Sequence, residues 1–241
     1  MDTCGFRKDF SYYQQSLYDE QPMVRIVVYD PSGKDAPGKQ GWGWPQMASH
    51  WNWDRAKETL KVATFANCPA VELLLNGKTL GEKRLADFPD RIITWDVPNQ
   101  AGTLRAVGRA DGKELCAHEL KSAGRPTQIV LNPDRDRMLA DGQDLSHVEV
   151  DLTDAENLLV RDADRLVRFE VKGPATIVGV DNGDLSSAEA YKSDRRTTRA
   201  GRCLVILQAS RQPGQVLLTA AAPGLASTTT TIEVVAPRAN P

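Results

Sequence analysis

Val71-Glu-Leu-Leu-Leu-Asn-Gly-Lys-Thr-Leu-Gly81 reads as a strand running into a hairpin turn. Val71, Leu73 and Leu75 alternate with Glu72 and Leu74. Successive side chains of a strand point to opposite faces, so this alternation suits a strand with one buried face. Asn76-Gly77 follows at once, and Asn-Gly supplies the positive φ that a tight hairpin turn requires.

The pattern recurs along the chain. Val148, Val150 and Leu152 alternate with Glu149, Asp151 and Thr153, and Val167, Phe169 and Val171 alternate with Arg168, Glu170 and Lys172. Asp111-Gly112 and, more loosely, Asn182-Gly183 punctuate these runs as further hairpin signals. Strands returning roughly every 8 to 12 residues are the mark of a β-sandwich. Polar breaks at Ser122-Ala-Gly-Arg-Pro126 and Asn132-Pro-Asp-Arg-Asp-Arg137 place a boundary between two sandwiches of roughly 100 residues each. The expectation is an all-β chain with immunoglobulin-like sandwiches over 50–124 and 125–236 and a frayed tail over 237–241.

The front of the chain differs. Phe10-Ser-Tyr-Tyr-Gln-Gln-Ser-Leu-Tyr18 lacks Gly and Pro, lies between Asp9 and Pro22, and reads as a short helix. Met23-Val-Arg-Ile-Val-Val-Tyr29 suits a strand. Residues 31–49 carry Pro31, Gly33, Pro37, Gly38, Gly41, Gly43 and Pro45, and read as a long loop.

Composition narrows the function. There are 30 basic and 32 acidic residues in 241, a formal net charge of −2, and no basic run interleaved with aromatics. Nucleic acid and anionic membrane surfaces are therefore excluded as expected partners. No stretch reaches the ~20 apolar residues of a membrane span. Met1 to Asp9 has no apolar leader-like region. Cys4, Cys68, Cys116 and Cys203 show no metal-binding spacing and read as separate small hydrophobes, with one disulfide left open.

Six segments occur in a familiar order. They are Asp2-Thr-Cys-Gly-Phe-Arg-Lys-Asp9 with Tyr12-Tyr13-Gln14-Gln15-Ser16, then His50-Trp-Asn-Trp53, the Val71–Gly81 stretch, Ala140-Asp-Gly-Gln-Asp-Leu145, Gly179-Val-Asp-Asn-Gly183 and Gly201-Arg-Cys-Leu-Val-Ile206. Together they resemble the C-terminal portion of glycoside hydrolase family 2, which includes β-galactosidases and β-glucuronidases. Arg7 departs from the proline usual in the first motif. The resemblance implies that residues 1–30 are the end of a (β/α)8 catalytic barrel, followed by two immunoglobulin-like domains. It also implies a parent that hydrolyses O-glycosidic bonds with retention, and a bacterial periplasmic or secreted setting. The catalytic barrel of that parent is then the main partner. A saccharide is a candidate partner, and an oligomer contact stays open.

Retaining glycoside hydrolysis needs two carboxylates about 5 Å apart. The family's pair would precede residue 1, so this chain is expected to be inactive alone. Glu72, Glu149, Glu170 and Glu233 each fall on the polar face of an expected strand and read as solvated. If residues 2–9 follow the last barrel strand, Asp2, Lys8 and Asp9 lie near the barrel mouth, where barrel active sites are built. Asp2 and Lys8 are candidate substrate contacts, and Asp9 is expected to cap the helix. Trp42, Trp44, Trp51 and Trp53 cluster in sequence and are candidates to line a sugar cleft, with packing as the competing role. Asp181-Asn182-Gly183-Asp184 reads as a hairpin turn rather than a calcium loop. His50, His118 and His147 lie far apart, and no metal or other cofactor is expected. An independent carbohydrate-binding module is the alternative function.

Overall fold

The structure is a computed structural model that describes residues 1–31, 45–53 and 58–237. It divides into two compact units. One is Arg7–Ser122, and the other joins Met1–Phe6 to the chain from Ala123 onward. Both are β-sandwiches, so the all-β reading holds.

The Arg7–Ser122 unit opens with α1 (Ser11–Tyr18) and contains β1 (Val24–Tyr29), β2 (Met47–Ala48), β3 (Thr59–Ala66), β4 (Ala70–Leu75), β5 (Lys78–Arg84), β6 (Ile92–Pro98), β7 (Thr103–Ala110) and β8 (Lys113–Lys121). One sheet has the order β2-β1-β3-β6 and the other β5-β4-β7-β8, with every pairing antiparallel. The turns expected between β4 and β5 and between β7 and β8 form as read. Asn76 and Gly77 have φ of 52° and 77°, and Asp111 and Gly112 have 50° and 74°. The alternating residues Val71, Leu73 and Leu75 face a core shared with Ile26, Val62, Leu104 and Trp95.

Residues 1–30 do not stay together. Met1–Phe6 belongs to the other unit, while β1 is a central strand of this one. The cause is the content of β1: Val24, Ile26 and Val28 enter the sandwich core, and Val27 faces outward. A strand apolar on both faces needs cover on both. α1 supplies the second cover, laying Tyr12 and Tyr13 over Val27, Ala63, Phe65 and Ile92. Tyr13 meets the Phe65 ring edge-on at 5.5 Å.

The second unit contains β9 (Gln128–Pro133), β10 (Arg137–Leu139), β11 (Leu145–Thr153), β12 (Leu166–Lys172), β13 (Ala175–Asp181), β14 (Arg195–Thr197), β15 (Arg202–Ala209), β16 (Gly214–Ala221) and β17 (Thr228–Val235). Its sheets run β13-β15-β11-β9 and β10-β17-β16-β12-β14. Val148, Val150, Leu152, Val167 and Phe169 meet Val205, Leu207, Val216 and Leu218 between them. The short run Ile129-Val-Leu131, which lies between the two polar breaks, is strand β9 of this unit. Asn182-Gly183 is not a hairpin. β13 pairs with β15, and the next strand, β14, lies in the opposite sheet, so the turn begins a crossover.

Candidate functional site

Asp2 organises a tight loop. Its Oδ1 accepts the amides of Cys4 and Phe6, both at 2.9 Å, and its carbonyl accepts the amide of Gly5 at 3.2 Å. Its Oδ2 lies against Gly183, where φ is +73° and a Cβ would collide with that oxygen. The Thr3 hydroxyl donates to Asp181 Oδ2 at 2.7 Å. The Arg202 guanidinium lies 5.3 Å from the Phe6 ring centre. The loop is thus anchored to the end of β13 and the start of β15.

Around this anchor stand the carboxylates Glu149 and Asp151, two apart on β11 and so on one face. Arg202 holds both: its Nη2 is 2.9 Å from Glu149 Oε1 and its Nε donates to Asp151 Oδ1 at 2.9 Å. Burial and the neighbouring Asp151 raise the Glu149 carboxyl above its ordinary pKa, against the pull of Arg202. Nearby, Arg196 of β14 is fully buried. Its Nη2 donates to Asn182 Oδ1 at 2.9 Å and lies 3.4 Å from Asp181 Oδ1, and its Nη1 donates to the Glu189 carbonyl at 3.1 Å. The acidic loop expected to be a hairpin is therefore an arginine-centred crossover. Among the described residues no group of three or more His, Cys, Asp or Glu is arranged to hold a metal ion.

Lys8 is exposed, and its carbonyl accepts the Ser11 amide at 2.9 Å. Asp9 does not cap α1. The N-cap position is Phe10, without a side-chain cap, and Asp9 Oδ1 instead accepts the Ser49 hydroxyl. The amides of Ser11, Tyr12 and Tyr13 are taken by the carbonyls of Lys8, Asp9 and Phe10. Arg7 and Arg25 each place a guanidinium 4.1 Å from the Tyr12 ring centre. Beneath Arg25, His118 Nδ1 accepts the Ile26 amide at 3.3 Å, which puts the neutral ring's proton on Nε2.

Burial, reinforced by the Arg25 charge, lowers the His118 pKa to about 4. The unfolded value is near 6.5. Neutral His118 therefore contributes stability in full above about pH 6.5, and the contribution is lost as pH falls toward 4. The whole shift corresponds to at most about 3 kcal/mol. Urea midpoints of the Arg7–Ser122 unit should fall between pH 7 and pH 4.5, and His118→Gln should flatten that dependence. An unchanged slope in the variant would remove His118 as its source.

The tryptophans divide. Trp51 is fully buried, with Nε1 donating to the Gln100 carbonyl at 2.7 Å. It has no face left for a sugar, which corrects its candidacy as a substrate contact. Trp53 is half-buried, stacks on His50 at 4.2 Å between ring centres, and donates from Nε1 to the His50 carbonyl at 3.1 Å. Trp42 and Trp44 lie outside the described residues. Of the four glutamates expected to be solvated, Glu170 and Glu233 are exposed, whereas Glu72 and Glu149 are half-buried against Arg109 and Arg202. An open depression of about 550 Å³ between Gly214, Gln215, Glu233 and Val235 contains none of Asp2, Lys8, Trp51 or Trp53. Sequence reading missed Arg196 and Arg202, because nothing local separates a buried arginine from a solvated one.

Residues 129–231 match glycoside hydrolase family 2 C-terminal domain 5, and residues 57–116 match a domain family of unknown function, DUF4982. A β-galactosidase of Bacteroides ovatus, BoGH2A, is 35% identical over 225 residues, covering 93% of this chain and 24% of that protein. The chain belongs to glycoside hydrolase family 2, as a C-terminal portion of it. A β-galactosidase of Thermoanaerobacter pseudethanolicus is 28% identical over 175 residues, covering 66% of this chain and 22% of that one. Among solved structures, a family 2 member from Bacteroides cellulosilyticus superposes with a TM-score of 0.93 at 32% identity, over 98% of this chain and 31% of that one. A β-glycosidase from Bacteroides vulgatus gives 0.80 at 28% identity, over 97% and 27%. The chain spans about a quarter of the length of the curated family 2 relatives it matches.

Proposed function

We propose that this family 2 chain is a non-catalytic region of a retaining, β-galactosidase-type glycoside hydrolase, and that it supports the catalytic barrel and shapes one wall of its cleft. The observation that carries this is the arrangement of Glu149, Asp151 and Arg202. Retaining hydrolysis requires a nucleophilic carboxylate and an acid/base carboxyl about 5 Å apart on either side of the scissile bond, both open to the sugar. Here Glu149 and Asp151 are both bound by one guanidinium, at 2.9 Å each. Glu72 is engaged in the same way, by Arg109 at 2.6 Å and 3.0 Å. Such pairs hold strands together rather than attack an anomeric carbon. In the whole enzyme, Asp2, exposed Lys8 and Trp53 are the proposed contributors to the cleft wall, with Trp42 and Trp44 as further candidates.

The purified chain is expected to hydrolyse nitrophenyl β-galactoside no faster than buffer. Turnover that disappears in Glu149→Gln would overturn the reading. The half-exposed Trp53–His50 stack favours a second reading, a carbohydrate-binding module. Calorimetric titration with galactose-containing oligosaccharides separates the two. Flat traces at millimolar sugar support the first, and binding heat abolished by Trp53→Ala supports the second.

A further inference from the structure

Cys68 and Cys116 are 48 residues apart in sequence, yet their sulfurs lie 3.5 Å from each other. Cys68 sits in the turn between β3 and β4, and Cys116 lies on β8, directly opposite Gly108 of β7. Gly108 explains the meeting. A Cβ there would stand 2.6 Å from the Cys68 sulfur and 2.7 Å from the Cys116 sulfur, so any other residue would displace them. Its φ is not among the positive ones, so the backbone does not itself require glycine at this position. The absent side chain is what leaves room for two thiols.

We propose that Cys68 and Cys116 form a disulfide site, closed by a disulfide oxidant of the glutathione type. A disulfide needs its sulfurs about 2.0 Å apart, so the pair must close by about 1.5 Å, a distance that side-chain torsions can supply. Cys116 is half-buried and is the entry point, whereas Cys68 is 1% exposed and is reached only from within. The Cys116 thiolate attacks one sulfur of oxidised glutathione, forms a mixed disulfide and releases one glutathione thiolate. The Cys68 thiolate then attacks the Cys116 sulfur and expels the second. Two protein thiols are oxidised, one glutathione disulfide is reduced to two thiols, and the two cysteine protons end on glutathione. Burial, together with the neighbouring Cys68 thiol, pushes the Cys116 pKa up to about 12. The first step is therefore slow at neutral pH and should quicken roughly tenfold per pH unit below that value. The closed bridge ties the turn between the two sheets to β8 and restricts a long loop of the unfolded chain. It should raise the melting temperature of the Arg7–Ser122 unit by roughly 10 °C.

The test treats the native full chain with millimolar oxidised glutathione at mildly alkaline pH. Acid quench, alkylation under denaturing conditions and peptide mapping without reductant follow. The expected product is a single peptide pair joined through Cys68 and Cys116, two hydrogens lighter than the free thiols. Its formation should raise the melting temperature, an effect reversed by reductant and absent in Cys116→Ser. Recovery of both cysteines alkylated, stable glutathione adducts on either, or linkage of either to Cys4 or Cys203 would overturn the proposal.

Discussion

Arg196→Ala should cost the second sandwich about 3 kcal/mol, the low end of the range for removing one partner of a buried ion pair, because the arginine is enclosed while its carboxylate partners reach solvent. Arg196 is fully buried, and its charge is shared between Asp181, Asn182 and the Glu189 carbonyl. Its Nε lies 3.5 Å from Glu189 Oε2, an ion-pair contact without hydrogen-bond geometry. The crossover it holds buries little apolar surface. Leu185 is 78% exposed and Tyr191 50%, so polar contacts must do what a core does elsewhere. Without the guanidinium, Asn182 Oδ1 and the Glu189 carbonyl lose a buried donor, and Asp181 and Glu189, whose side chains are 15% and 37% exposed, lose a shared cation. Urea denaturation followed by far-UV circular dichroism reads the loss. Arg196→Met separates charge from volume. It keeps the packing and still leaves the carboxylates without their shared cation and Asn182 Oδ1 without its donor, so it should lose most of the same stability. A methionine variant as stable as the parent chain would mean that packing, not charge, holds the crossover.

Trp51→Ala should destabilise the Arg7–Ser122 unit by about 3–5 kcal/mol, as large-to-small core substitutions of Trp do. The indole is wholly enclosed with Val24, Ile26, Leu60 and Leu120 in one core. Its N–H serves the Gln100 carbonyl, which the substitution would leave without that donor. Trp53→Ala, at a half-buried site, should cost about 1 kcal/mol. Thermal melts of the two variants make the comparison directly. Equal small losses would reject the structural role of Trp51 and reopen a surface role for it.

The errors of sequence reading have a common form. Asn182-Gly183 has the same dipeptide chemistry as Asn76-Gly77, and both glycines have φ near +75°. One closes a hairpin and the other starts a crossover, because the partner of β13 is β15 and not the next strand along the chain. Asp9 has the right residue type to cap a helix that starts at Phe10, but α1 starts at Ser11 and the Asp9 carboxylate goes to Ser49, 40 positions away. Trp51 and Trp53 sit two positions apart, and only one of them is fully buried. In each case partners far along the chain decide what the local residue type leaves open.

What could be read along the chain was whatever depends on near neighbours. The alternation of Val71, Leu73 and Leu75, and the positive φ at Asn76-Gly77 and Asp111-Gly112, follow from the geometry of one strand and one turn. The order of the six motifs identified the family for the same reason, since each is a contiguous run. The fate of each charge and thiol was settled only by folding. Arg196 meets Asp181 from 15 residues away, Arg202 meets Asp151 from 51, and Cys68 meets Cys116 from 48. The stability of a buried ion or the closeness of two sulfurs is a sum over neighbours in space, and strand pairing assembles those neighbours from across the chain.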